Sequence, residues 1–542
     1  MGCELKLSGG DVVDGSGVPR RRADVAIDNG VITAVGDLTE LEAERTVDCS
    51  GKVITPGFID IHSHTDWLLP DADHGVLVEP FVRQGMTSLV GGNCGFSPAP
   101  VTDVNRGAAM DASRLIRDGA IDLRWATTAE FLDGLERGGV TLNVAQLVGH
   151  GSVRAAVTGS LNPAAPDSGE LARMERLTRE GLEAGCVGVS TGLGYPPGIF
   201  AQEDELAAFA GWAARENKLF TSHLKAYSWI SPVFHTDPNA EPHNLEAIKE
   251  ILRVGDASGA RVQISHLIFV GRRTWARHED AIRLIEDANR RGIDTAFDAF
   301  PYTAGNTTAS VLFPPEILPR LETVLADDAQ RAGLKAFADM AFEQIGFNLT
   351  DIQIMNCNVD RWNHLNGLFV DEAADRVEMD PFDFYCRLVI DSDRMARVLI
   401  HTYSGDATDE SALRAILRHP LCLFETDTFV TESGHQNPAS YGTFPRALST
   451  YVAEGLFTLE EAVRRMTGGA AERLGWTDRG WVRKGCAADL VVLDTANLRD
   501  TATFEEPASF PTGIDHVFIN GRHIVDGKRY DASARAGRVL RS

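Results

Sequence analysis

The feature that most constrains this chain is a rhythm. Short apolar runs that stop on polar residues alternate with stretches of helical period. Eight such runs can be read, at 58–62, 87–94, 142–150, 187–191, 219–223, 261–266, 293–298 and 421–427. Helical segments such as 245–254 and 279–290 separate most of them. A continuous apolar run between polar residues suits a strand buried on both faces, and strands alternating with helices build a parallel sheet. Eight such units predict an α/β fold, a (β/α)8 TIM-type barrel. Most of the runs end on His, Cys or Asp, and in these barrels the C-terminal strand ends carry the chemistry.

The flanks have a different texture. Residues 1–56 alternate in short runs broken by turns, with Asp28-Asn29-Gly30 as a hairpin signal, and residues 476–542 repeat the pattern around Asn520-Gly521. Both termini are therefore expected to build one small β-sandwich domain, leaving 57–475 as the barrel. Between the seventh and eighth runs, about 300–420 is far longer than an ordinary loop. It is expected to be a helical insertion over the barrel mouth, a candidate lid.

Composition narrows the partners. The 52 basic and 77 acidic residues leave a formal charge of −25, which disfavours nucleic acid and anionic membrane as main partners. No stretch approaches the ~18 apolar residues of a membrane span, and residues 1–6 lack an apolar signal core. Eight cysteines without a CxxC pair suit a reduced, cytoplasmic protein.

His62-Ser63-His64 is the sharpest local signal, because residues two apart on a strand face one side and can address one point. Alone, an HxH is as often a pair of satisfied histidines; four further strand ends of ligand type shift the reading to metal. Cys94, within Gly91-Gly92-Asn93-Cys94-Gly95, would ordinarily be a small buried hydrophobe. His223 and His266 each follow a Ser at the end of an apolar run. Together, one thiolate and two imidazoles with an open fourth position form the catalytic zinc pattern. Asp427, otherwise readable as a helix N-cap, is the candidate general base toward metal-bound water. Asp60, Asp66, His150 and Asp298 are polar strand-end groups that could orient ligands, though simple structural roles suit them better.

The chain resembles the amidohydrolase superfamily and, within it, the N-acyl-D-amino-acid deacylases (D-aminoacylases). The resemblance spans nearly the whole chain. It is carried by Pro56-Gly57-Phe58-Ile59-Asp60 before the HxH, Gly92-Asn93-Cys94-Gly95-Phe96-Ser97, Gly188-Val189-Ser190-Thr191-Gly192-Leu193-Gly194-Tyr195, Tyr441-Gly442-Thr443-Phe444-Pro445-Arg446, Ala488-Asp489-Leu490-Val491-Val492 and Gly537-Arg538-Val539-Leu540-Arg541. It implies a zinc held tightly by Cys94, His223 and His266, and a second, weaker or vacant metal position at His62 and His64 that Asp427 can approach. It also implies that Tyr195 faces the substrate. The fourth run has no lysine to be carboxylated as a metal bridge, which argues against a hydantoinase or dihydroorotase type of centre.

The departures from the family pattern fall where substrate would lie. A lysine usual after the sixth-strand His is Ile268 here, and an arginine usual before the Tyr-Gly-Thr-Phe-Pro-Arg motif is Ala439. The segment after His223 reads Leu224-Lys225-Ala226-Tyr227, and the usual Ser-Asp-Gly of the eighth strand is Thr426-Asp427-Thr428. Loss of two cationic anchors weakens recognition of a free carboxylate, unless Lys225, Arg272 or Arg273 compensates. The reading is a zinc-dependent hydrolase of a linear amide, its small-molecule N-acyl substrate leaning toward neutral, with Tyr195, Lys225, Ile268 and Ala439 as substrate-binding positions. Phe269, Trp229 and Phe234 are candidates for the pocket lining. Alternatives are a cyclic amide, ester or carbamate hydrolase on the same centre and, remotely, a metal-free scaffold. A homo-oligomer stays open.

Overall fold

The computed structural model describes residues 2–116, 121–231, 234, 241–314 and 317–542. Its centre is a sheet of eight parallel strands: Phe58–Asp60, Met86–Gly91, Asn143–Gly149, Gly188–Gly192, Leu219–His223, Arg261–Ile264, Thr295–Ala299 and Cys422–Phe424. They neighbour one another in chain order, and each falls within one of the apolar runs or overlaps it closely. Their outward side chains, among them Phe220, Val262, Phe297 and Phe424, pack on the surrounding helices; inward ones such as Ile59, Val90, Leu147 and Leu423 fill the barrel. Capping boxes at Thr127/Glu130 and Asp167/Glu170 start two of those helices by giving the orphan N–H groups acceptors.

The seam between the first and eighth strands is closed by side chains as well as backbone. Thr426 donates from its N–H (3.1 Å) and its hydroxyl (2.6 Å) to Asp60, and the Asp427 N–H reaches the His62 carbonyl at 3.0 Å. Asp60 thus has a structural duty, and that duty sets His62 beside Asp427.

Strands from both termini form one mixed sheet of nine, joined where Val53–Pro56 runs antiparallel to Leu490–Leu493. The sheet curls around its own core, in which Leu7, Val25, Ile54, Leu490 and Phe518 are buried together. Both expected hairpin turns use residues in the left-handed region, Asn29-Gly30 at φ 51° and 75° and Asn520-Gly521 at 48° and 79°. The chain then returns to the barrel's N-terminal end. There Leu540 donates to the Val144 carbonyl (2.7 Å), and the Lys218 ammonium reaches the Ser542 carbonyl (3.0 Å).

The segment between the seventh and eighth strands contains the expected helices, including Asp328–Ile345 and Pro381–Asp391. It also holds a three-stranded antiparallel sheet of Gly305–Thr308, Ile352–Asn356 and Arg397–Ile400. Gly305–Thr308 has no apolar residue to mark it as a strand in the sequence. The segment has its own apolar core around Phe300, Tyr302, Ile354, Phe384 and Val398, and Ile268 of a barrel loop and Ala439 at the start of the helix Ala439–Arg446 join it. Among the described residues no helix is long and apolar enough to cross a membrane.

Candidate metal centre

The strand ends converge. His62 and His64 follow the first strand, Cys94 the second and His266 the sixth, His223 is the last residue of the fifth, and Asp427 follows the eighth. Their ligand atoms fall into two groups, each within 4.8 Å: His62, His64, Cys94 and Asp427, and Cys94, His223 and His266. Cys94 belongs to both. Its Sγ lies 3.2 Å from His62 Nε2, 3.4 Å from His266 Nε2 and 3.6 Å from His223 Nδ1. Asp427 Oδ1 is 3.4 Å from His62 Nε2 and 3.5 Å from His64 Nε2.

The backbone is bent to achieve this. Cys94, His266 and Asp427 have φ of 53°, 31° and 45°, a region that costs a non-glycine residue about 1 kcal/mol or more and that clusters at functional sites. The turn around Cys94 also needs glycine on its neighbour: a Cβ on Gly192 would lie 2.0 Å from the Cys94 carbonyl oxygen.

The electrostatics call for positive charge. Burial alone would raise Cys94, but the imidazoles of His62, His266 and His223 outweigh it and hold the thiol well below its ordinary range. Burial likewise would raise Asp427, yet His266, His64 and His62 keep it low. Conversely, the charges of Cys94 and Asp427 hold His62, His64 and His266 high against a burial that would lower them. Burial keeps His223 low, so its imidazole is neutral, the form that ligates. A thiolate, a carboxylate and imidazoles converging in a buried pocket fit a divalent metal ion of the zinc type.

Other polar residues brace the ligands. Asp298 accepts from the His266 N–H (2.6 Å) and from Gln263 Nε2 (2.6 Å), and lies 3.4 Å from His62 Nδ1. Asp66 accepts from the Gly92 N–H (2.8 Å) and from Gln146 (2.9 Å), steadying the approach to Cys94. His150 instead pairs with Glu205 at 2.8 Å, beside Arg154, and takes no part in the centre. Tyr195 donates its hydroxyl to the Cys94 carbonyl (2.9 Å), with its ring 4.9 Å from that of His223.

The four substrate positions thus lie in different settings: Tyr195 at the metal centre, Lys225 in a buried ion pair with Glu250, and Ile268 and Ala439 in the apolar core of the inserted segment. Arg272 pairs with Asp351 and Asp406, whereas Arg273 lies over the Trp229 ring at 4.8 Å. Phe269 is packed in the barrel core, and Phe234 packs against that core.

Two residues escaped sequence reasoning. Tyr227 sets its ring 5.0 Å from those of both His223 and His266, and its hydroxyl accepts from the Leu224 N–H and donates to the Ser265 carbonyl. Glu425 is wholly buried beside His62 and Asp298. Its one visible signal was an acid inside an apolar run, two residues before Asp427.

A nearly closed parallel barrel with metal-ligand side chains gathered on its C-terminal rim defines a class, the metal-dependent barrel hydrolases. The model of the amidohydrolase family matches residues 45–525. D-aminoacylase of Alcaligenes xylosoxydans xylosoxydans is 32% identical over 539 residues, covering 99% of this chain and 97% of the relative. The solved structure of N-acyl-D-glutamate deacylase from Bordetella bronchiseptica, complexed with zinc and a phosphonate mimic of the tetrahedral intermediate, matches at a TM-score of 0.82 and 30% identity over 100% of both chains. A solved D-aminoacylase, studied for one-metal activation and second-metal attenuation in its binuclear centre, matches at 0.81 and 30% over 100% of both. This chain belongs to the amidohydrolase family.

Proposed function

We propose that the protein is a zinc-dependent deacylase of linear N-acyl amides, with Cys94, His223 and His266 holding the tighter metal and His62 and His64 a weaker second one. The observation that carries the reading is the shared thiolate of Cys94 between two ligand groups, with the Asp427 carboxylate facing one of them. Zinc in such a site polarises a carbonyl and brings the pKa of a bound water down toward ~7. Asp427, held ionised by its histidine neighbours, accepts the proton of the attacking water and returns it to the leaving nitrogen. Tyr195, kept protonated by burial and by the Cys94 charge, donates its hydroxyl to the Cys94 carbonyl in this structure and would turn it to the developing oxyanion when substrate is bound.

The substrate is inferred to be a neutral or apolar N-acyl compound. Ile268 and Ala439 stand where the family has cations, and both join an apolar core. Of the replacement cations, Lys225 is committed to Glu250, and Arg272 to Asp351 and Asp406. The deciding experiment combines metal analysis of the purified protein with hydrolysis of N-acetyl-D-methionine and of an uncharged N-acyl arylamine. The expected result is zinc near one equivalent or above, with turnover of the arylamide. Turnover of the D-amino acid alone would return the substrate to the family's usual class, and turnover of cyclic amides or esters alone would move it to another.

A further inference from the structure

Five carboxylates surround the floor of the metal centre, and four have evident partners. Asp60 accepts from Thr426, Asp66 from Gly92 and Gln146, and Asp298 from His266 and Gln263, while Asp427 faces His62 and His64. The fifth, Glu425, is 0% exposed. Among the described residues it is the one buried carboxylate with neither oxygen hydrogen bonded. A buried carboxylate without a partner is costly to fold around, so its place needs a reason.

The opposite face of the problem is His62. Its Nε2 points at Cys94 and Asp427, the side where metal would lie. Its Nδ1 points the other way and has no hydrogen bond. Asp298 Oδ1 comes within 3.4 Å of that nitrogen while also accepting a 2.6 Å bond from the His266 N–H, and its Oδ2 accepts from Gln263, so the acceptor nearest Nδ1 is shared with a second donor. Glu425 completes the group, with ligand atoms of His62, Asp298 and Glu425 all within 4.8 Å. A metal-ligating imidazole performs best when its other N–H is held by a carboxylate, which fixes the tautomer and strengthens the ligand.

We infer that Glu425 is a positioning residue of the metal centre, accepting the Nδ1 proton of His62 so that Nε2 is turned, as a lone pair, to the second metal position. The inference rests on the metal-dependent reading above. It selects one of the two ligand groups: Glu425 acts on the His62, His64 and Asp427 side and leaves the Cys94, His223 and His266 side alone.

The test is metal affinity, independent of turnover. Metal-free wild-type protein and the Glu425→Gln, Glu425→Asp and His64→Asn variants are titrated with Zn2+ against a chromophoric chelator, and then with Co2+, whose visible bands report ligand geometry. The wild type should bind a tight and a weaker equivalent, and His64→Asn marks the weaker one by removing it. Glu425→Gln should retain the tight equivalent and lose roughly 10- to 100-fold in affinity for the weaker one, with the cobalt spectrum altered only on the second equivalent. Glu425→Asp, which keeps the carboxyl group, should fall between and serves as the working variant if the glutamine protein does not fold. Weaker-site affinity within twofold of wild type in both Glu425 variants would overturn the inference, as would equal loss at both sites. No zinc binding by the wild type would sink the metal reading itself, a separate result.

Discussion

Two residues along the chain from His266 stands Ile268, and twelve beyond Asp427 stands Ala439. The first member of each pair belongs to the metal-ligand rim and the second to the apolar core of the inserted segment. The rim is crowded with titratable groups whose charges hold one another away from their ordinary ranges, Cys94 and Asp427 low and His62 and His64 high. The inserted segment is built on aromatic and aliphatic packing, with Tyr302, Phe300 and Tyr403 in the same core as Ile268. On the proposed reading, the metal ligands and two of the positions proposed for substrate recognition lie in separate parts of this molecule.

The strongest way to break that comparison is to remove the shared ligand. Cys94→Ala should lose the tight metal and, with it, several kcal/mol of transition-state stabilisation, about a thousandfold or more in kcat/KM. Metal content by atomic emission checks it, and stoichiometric zinc in the variant would remove Cys94 from the ligand set. Asp427→Asn should keep the tight metal and lose about 10²- to 10⁴-fold in kcat through loss of the proton acceptor. Steady-state kinetics on the metal-loaded variant decide that, and a fully active Asn protein would reassign the base.

Recognition is probed from the other side. Ile268→Lys with Ala439→Arg should shift the ratio of kcat/KM toward N-acyl-D-amino acids over neutral amides by about tenfold or more, the worth of a charge-assisted hydrogen bond of ~1.5–3 kcal/mol. Metal content should stay unchanged, and an unmoved ratio would show that these two positions do not face the substrate carboxylate. The smallest effect lies in the inserted segment. Burial lowers His401 from 6.5 to about 4, with Asp351 and Glu505 opposing in part. Between those values the unfolded chain binds a proton that the folded one refuses, so this residue's contribution is whole above pH 6.5 and fades as pH falls toward 4. Between pH 4 and 6.5, His401→Phe, placed among Phe369 and Phe504, should show a shallower dependence of Tm on pH than the wild type. Parallel curves would assign the slope to other groups.

Much of this was legible beforehand for a physical reason. Strands buried on both faces are mostly apolar, so each of the eight appeared within a largely apolar run, and the ligand types at their ends stood out against it. The Asn-Gly hairpins were legible because left-handed backbone restricts the residue type. The strands of the inserted segment left a weaker trace, because Gly305–Thr308 has no apolar residue and the others lie in no alternation of strand with helix. Lys225 looked like a free cation because nothing in its own segment reveals Glu250, which reaches it from the helix His243–Ser258. Tyr227 was visible only as a departure from a motif, although its ring packs on two of the ligands.

The sequence by itself therefore determined the barrel, the β-rich character of both ends and the identity of the groups able to hold a metal, since each depends on residue type along a local stretch. Tertiary structure decided which of those groups meet. Closing the seam through Asp60 and Thr426 puts His62 beside Asp427, and the bent backbone at Cys94 lets one thiolate serve two ligand groups. Tertiary structure likewise brings Glu425 beside His62 and Asp298 and pairs His150 with Glu205. Distances between strand ends hundreds of residues apart arise from barrel geometry, and no local pattern in the chain encodes them.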